Sequence, residues 1–216
     1  MAGTPAGGNA LAAFWIASPD QSLRGTRLYY LAADKHVNGL ELFGGRWHWR
    51  DVTTHPTWLE MIPGLPDAAG NALAAFQGDE PRVYYLDAKK KHVNELAWSS
   101  GAWHWLDVTE KAPGAVSAAG NALAAFQIGD AGAAAVYYLG DDKHVHELSW
   151  YGPKWVWKDV TAQAQGAAPA AGNSLAAFAL GNERRVVYYL DAHNHVNELE
   201  WSSGAWHWLD VTKACK

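Results

Sequence analysis

Along this chain apolar residues group into phrases of four to eight, separated by turn-forming pieces such as Gly78-Asp79-Glu80-Pro81 and Ser99-Ser100-Gly101. The phrases recur in a fixed order. GN(A/S)LAAF begins at Gly8, Gly70, Gly120 and Gly172, at intervals of 62, 50 and 52 residues. Each copy continues with a YYL phrase (Tyr29, Tyr84, Tyr137, Tyr188), then HV(N/H) (His36, His92, His144, His195), then W-x-W-x-D-V-T (Trp47, Trp103, Trp155, Trp206). The copies end at Thr53, Thr109, Thr161 and Thr212. The phrases are β-branched, aromatic or small apolar, which predicts four short strands per repeat. Ala-Leu-Ala-Ala-Phe and Val-Tyr-Tyr-Leu are apolar on both strand faces, as expected of sheets packed against other sheets on each side. Period, strand count and two-sided burial together select an all-β propeller of four-stranded antiparallel blades over a sandwich. The expectation is a single propeller domain over residues 1–216, with four blades near 8–53, 70–109, 120–161 and 172–212.

The small first phrase suits the crowded inner strand and the Trp-rich fourth suits the rim. Copies therefore run from inner to outer, and no terminus lends a strand to the blade at the other end. Ring closure then rests on side-chain packing. Either four blades close alone or two chains combine into a larger ring as a homodimer. Repeat one deviates, with extra residues before Tyr29 and an inserted loop, 54–69, carrying Trp58, Met61 and Ile62. That loop is either folded onto the rim or serves as an oligomer contact or lid.

Composition narrows the function classes. Hydrophobic residues make up 49% and charged residues 18%, the balance of a soluble globular chain. A formal charge of −5, with no basic run beyond Lys89-Lys90-Lys91, argues against nucleic-acid binding. No apolar stretch predicts membrane insertion, and Met1 to Gly8 lacks the basic residues of a signal peptide. The expected location is cytoplasmic, or outside the cell by a non-classical route. The lone Cys215 predicts a tolerated free thiol.

Thirteen tryptophans stand out, eight of them in the W-x-W pairs, whose members share a strand face and offer a broad aromatic wall. Such a wall packs between blades or, where partly uncovered, stacks on the apolar face of a sugar ring. Glu95 and Trp98 are three apart and lie on opposite faces of their blade. Arg82 falls near Glu95 if their strands pair, giving fixed donors and an acceptor for hydroxyls.

The run Arg82-Val83-Tyr84-Tyr85, followed by Asn94-Glu95-Leu96, Trp98 and Trp103, resembles the blade signature of the fucose-binding Aleuria-type propeller lectins. The whole repeat, with its GNALAAF opening and KHVNEL core, is more similar still to the Photorhabdus-type propeller lectins. Those bind fucose and O-methylated sugars in inter-blade clefts, in pockets that the resemblance implies are more apolar and need no arginine. In the Aleuria type, Arg and Glu come from one blade and two aromatics from the next. Carried onto this chain, Arg82 and Glu95 face Trp150 and Trp155. Arg27, with Gly39 where Glu belongs, faces Trp98 and Trp103. Glu147, with Ala135 where Arg belongs, faces Trp201 and Trp206. Glu198, with Val186 for Arg and Arg185 one place off, faces Leu42 and Trp47 on closure. Only one cleft is complete by this pattern, and the relatives' six or seven blades are not matched by four repeats.

His144-x-His146 and His193-x-His195 each put two imidazoles on one strand face, but only two repeats do so, and neither a metal nor another cofactor is expected. The recurrent histidines and the Asp of D-V-T read as turn-holding residues. Acidic residues recur once per repeat rather than as one opposed pair, so a glycosidase, and an enzyme generally, is disfavoured. The expected function is a multivalent lectin for fucosylated or O-methylated glycans. The alternative is a non-catalytic propeller scaffold for protein–protein interaction.

Overall fold

The computed structural model describes residues 4–16, 25–54, 62–129, 132–181 and 183–215. The first blade comprises β1 (Ala6–Ile16), β2 (Gly25–Ala32), β3 (Val37–Phe43) and β4 (Arg46–Asp51). The second comprises β5 (Ala68–Gln77), β6 (Pro81–Asp87), β7 (Val93–Ser99) and β8 (Ala102–Asp107). The third comprises β9 (Ala118–Ile128), β10 (Ala133–Gly140), β11 (Val145–Trp150) and β12 (Trp155–Asp159). The fourth comprises β13 (Ala170–Leu180), β14 (Arg184–Asp191), β15 (Val196–Ser202) and β16 (Ala205–Asp210). Each blade is a four-stranded antiparallel meander in chain order, so the expected four strands per repeat are what the chain forms. One-turn helices α1 (Val108–Lys111), α2 (Val160–Gln163) and α3 (Val211–Ala214) follow the last three blades.

Local sequence explains the meander. Ser100 and Gly101 have φ of 50° and 82°, the left-handed pair that closes a two-residue hairpin with the twist of its flanking strands. Each D-V-T aspartate ends its outer strand, and those of the first, third and fourth blades accept from backbone donors of the next turn. Asp51 accepts from Thr53 N at 2.9 Å, and Asp159 from Ala162 N at 2.8 Å.

The blades form two compact units, Met1–Asp107 and Val108–Lys216. In the first, the core joins Tyr29, Leu31 and Val37 of one blade to Leu73, Val83, Tyr85, Leu96 and Trp103 of the other. In the second it joins Tyr137, Leu139 and Val145 to Val187, Tyr189, Leu199 and Trp206. Burial of each such Val or Leu contributes about 1.5–3 kcal/mol. Within each unit the two first strands are tied side by side. Asn9 N donates to Asn71 Oδ1 at 2.9 Å, and Asn121 N to Asn173 Oδ1 at 3.2 Å. Of the inserted loop, Trp58 and Met61 lie outside the described residues, as do the extra residues 17–24. Ile62 and Leu65 pack against the first unit's core. No helix among the described residues is long and apolar enough to cross a membrane.

Candidate functional site

Strand parity gives each blade two chemically distinct faces. The front carries the first tyrosine of YYL (Tyr29, Tyr84, Tyr137, Tyr188). The back carries the second tyrosine and the W-x-W wall. In the first unit the front of the first blade packs on the back of the second, and in the second unit the front of the third packs on the back of the fourth. Each unit therefore contains one front-to-back cleft.

In the second unit Glu147, fully buried, stands opposite Tyr137 on the third blade's front. Tyr137 Oη donates to Glu147 Oε2 at 2.6 Å. Burial first, then the carboxylate's charge, holds the Tyr137 hydroxyl well above its ordinary pKa. Ala135 stands where the pattern expected from sequence has arginine, and the arginine of this cleft comes instead from the facing blade as Arg185. Its Nη1 donates to Glu147 Oε2 at 2.8 Å and to the Tyr151 hydroxyl at 2.7 Å. Arg185 pairs across β14, β15 and β16 with the row Trp201 and Trp206, and its guanidinium lies 5.0 Å and 5.4 Å from their ring centres. Lys158 Nζ also sits 5.0 Å over Trp201. A cavity of about 360 Å³ opens beside this group, lined by Tyr151, Glu183, Arg185, Trp201 and Ser203 among others. The expected Glu147, Trp201 and Trp206 are thus brought together. Arg185 belongs to this cleft, not to the fourth blade's own carboxylate Glu198.

The first unit reaches the same chemistry by another route. Gly39 lies opposite Tyr29 and supplies no carboxylate, but Glu41, two residues on and therefore on the same face, pairs directly with Arg27. Arg27 Nε is 3.3 Å from Glu41 Oε1. Tyr29 on that face meets Trp103 edge-on at 6.0 Å, and Trp103 meets Trp98 at 5.7 Å. Arg50 lies 5.3 Å over Trp98, the counterpart of Lys158 over Trp201. The second and fourth blades carry Leu106 and Leu209 at that place. A narrower pocket of about 160 Å³ is lined by Ile16, Arg27, Glu41 and Phe43 among others.

The remaining predicted residues lie on blade faces of separate units. Arg82 and Glu95 do pair, at 3.3 Å, on the second blade's front, and Tyr84 also donates to Glu95. Burial raises the Glu95 pKa despite the opposing pull of Arg82 and Tyr84. Trp150 and Trp155 face each other on the third blade's back, ring centres 5.7 Å apart. On the fourth blade's front, Glu198 accepts from Tyr188 at 2.5 Å, and Arg184 pairs with Glu200 at 2.7 Å. Leu42 and Trp47 pair on the first blade's back, where Trp47 is exposed.

The recurrent histidines behave as expected. Nδ1 of His36, His92, His144 and His195 meets the D-V-T aspartate (Asp51, Asp107, Asp159, Asp210) at 2.7–3.0 Å. These are latches between the middle turn and the outer strand's end.

No protein-family model matches the chain, and no curated protein matches it. Solved structures do. The six-bladed β-propeller fucose lectin of Aleuria aurantia is 22% identical with a TM-score of 0.65, over 93% of this chain and 62% of that one. AofleA of Arthrobotrys oligospora is 20% identical with a TM-score of 0.65, over 93% and 55%. SapL1 lectin, solved with α-methyl fucoside, is 22% identical with a TM-score of 0.64, over 93% and 62%. The four-stranded blades are therefore those of a propeller, as the repeats predict, and the chain spans about 60% of the length of these structures.

Proposed function

We propose that the chain is a non-catalytic carbohydrate-binding protein that holds fucose-like or O-methylated sugars in the clefts between its blades, acting multivalently as one propeller domain. The observation that carries this is the Arg185–Glu147 pair beside the wall of Trp201 and Trp206, echoed in the first unit by Arg27–Glu41 on the blade face whose Tyr29 meets Trp103. An aromatic plane takes the apolar face of a pyranose and the guanidinium donates to its hydroxyls; part-exposed Glu41 can accept from them, whereas Glu147, fully buried, serves to hold Arg185 in place at the cavity wall. The propeller relatives solved with fucosides support this sugar class. On this reading the Arg82–Glu95 pair and the wall of Trp150 and Trp155 are further half-sites.

Blade one exposes Leu11, Trp15 and Trp47, and blade four exposes Phe178, Leu180 and Leu209. Apolar sheet faces of this kind are what a neighbouring blade covers, which supports two chains completing one ring; native mass measurement checks it. Calorimetry with methyl-α-L-fucoside and O-methylated monosaccharides tests the binding itself. A fall in stoichiometry, from loss of the Arg185 cleft alone, is expected in Trp201→Ala. No heat with any sugar sinks this reading in favour of a protein-binding scaffold.

A further inference from the structure

The third blade departs from its sisters at its middle turn in a coordinated way. In the second and fourth blades an aspartate closes strand two and an asparagine sits one residue into strand three. Asp87 accepts from the backbone of Lys89, Lys90 and His92 at 2.6–3.0 Å. Asn94 and Asn197 accept the indole N–H of Trp105 and Trp208 at 2.8 and 2.9 Å. In the third blade the aspartate is Gly140 and the asparagine is His146. That exchange gives up the Asn acceptor for Trp157, whose ring instead stacks on His146 at 5.6 Å and 21°.

The exchange brings metal-ligating atoms together. His146 is fully buried, its Nε2 lies 3.0 Å from Asp142 Oδ1, and its Nδ1 has no hydrogen-bond partner. A Cβ at position 140 would stand 2.5 Å from His146 Nε2 and 2.6 Å from Asp142 Oδ1, so only glycine leaves the space they occupy. His144 Nδ1 is 2.8 Å from Asp159 Oδ2 and 3.9 Å from Asp142 Oδ2. Donor atoms of Asp142, His146 and Asp159 all lie within 4.8 Å of one another. Zinc bonds of about 2.0–2.1 Å in a tetrahedron put ligand atoms roughly 3.3 Å apart, a spacing these groups bracket. Asp142 and His144 are part-exposed, at 45% and 30%, and give an ion a way in.

We propose that Asp142, His144, His146 and Asp159 form a zinc-type divalent cation site, contrary to the expectation from sequence that no metal binds. Two imidazole nitrogens and two carboxylate oxygens suit zinc rather than the all-oxygen shell of calcium or magnesium. The comparable group in the fourth blade (Asp191, His195, Asp210) adds one imidazole only, and Lys213 Nζ already occupies Asp210 at 2.9 Å.

The test is calorimetric titration of the untagged full chain with Zn²⁺ alone, beside His146→Asn and Asp142→Asn. Asparagine is what the other three blades carry at position 146 (Asn38, Asn94, Asn197), so that variant is built to keep the fold. One zinc per chain is expected, with affinity reduced at least tenfold in both variants and a zinc-dependent rise in melting temperature lost with it. Absence of zinc binding in the wild type, or an isotherm unchanged in the variants, overturns the proposal.

Discussion

Replacing Arg185 by alanine probes the one ion pair that both walls of a cleft depend on. The variant leaves the Glu147 carboxylate, 0% exposed, without its cation. Breaking a buried pair from one side costs about 3–5 kcal/mol, because the remaining charge stays desolvated. Lys158, at 3.9 Å from Oε1, and the Tyr137 hydroxyl remain to compensate, which favours the lower end, about 3 kcal/mol. For a cooperative unit on the order of 100 residues that lowers the melting temperature by roughly 10 °C or more. Scanning calorimetry reads this directly, and the chain contains its own control. Arg184, the preceding residue, points to the opposite face, pairs with Glu200 and is half exposed, so Arg184→Ala is expected to leave the midpoint essentially unchanged. The double variant Arg185→Met/Glu147→Gln removes both charges and is expected to recover most of the loss. Equal effects of the two alanine variants, or a double variant no better than Arg185→Ala, would refute the assignment.

Further expectations concern the neighbouring tyrosine, the Glu95 carboxyl and the first unit's cleft. Tyr137→Phe removes one donor to a buried carboxylate and is expected to cost about 1.5–3 kcal/mol by urea denaturation. Glu95 has a folded-state pKa above its ordinary 4.5, so the folded chain takes up this proton at a higher pH than the unfolded one. Wild type should therefore gain stability relative to Glu95→Gln as the pH falls from neutrality through that raised value, and a wild-type melting temperature that falls relative to the variant's over that range would refute it. In the first unit, Glu41→Gln should weaken sugar binding at the Arg27 cleft while leaving the Arg185 cleft intact, seen by calorimetry as a fall in stoichiometry.

Much of the architecture was legible because the chain states it four times. Recurring phrases place every strand pair, and the turn-holding roles of the recurrent histidines and of the D-V-T aspartates follow from the repeat, while their pairing with one another does not. The site was less legible, for a physical reason that Arg185 makes plain. Aligning repeats shows it one position from the expected arginine of its own blade, which reads as a near miss. On a strand, one position is a change of face. The same parity rule, applied to the residue instead of the motif, points Arg185 into the cleft with Ala135 and Glu147. Glu41 was missed likewise, since two positions from Gly39 preserve the face, and a carboxylate there serves Arg27 directly. What parity cannot supply is depth. That Gly140 makes room for His146 and Asp142 depends on a close approach between a turn and a strand, which no spacing along the chain records.

The asparagine ties between first strands have a bearing on how the chain is made. Asn9 joins Asn71, and Asn121 joins Asn173, so each tie closes between consecutive blades. During synthesis the two blades of the first unit have each other's facing sides once residue 107 has cleared the ribosome, while the second unit is still unmade. The first blade never has to wait with its tyrosine face bare for a strand from the far end. A chain stalled between units is then expected to resist protease up to Asp107, as a two-blade intermediate able to wait for the rest.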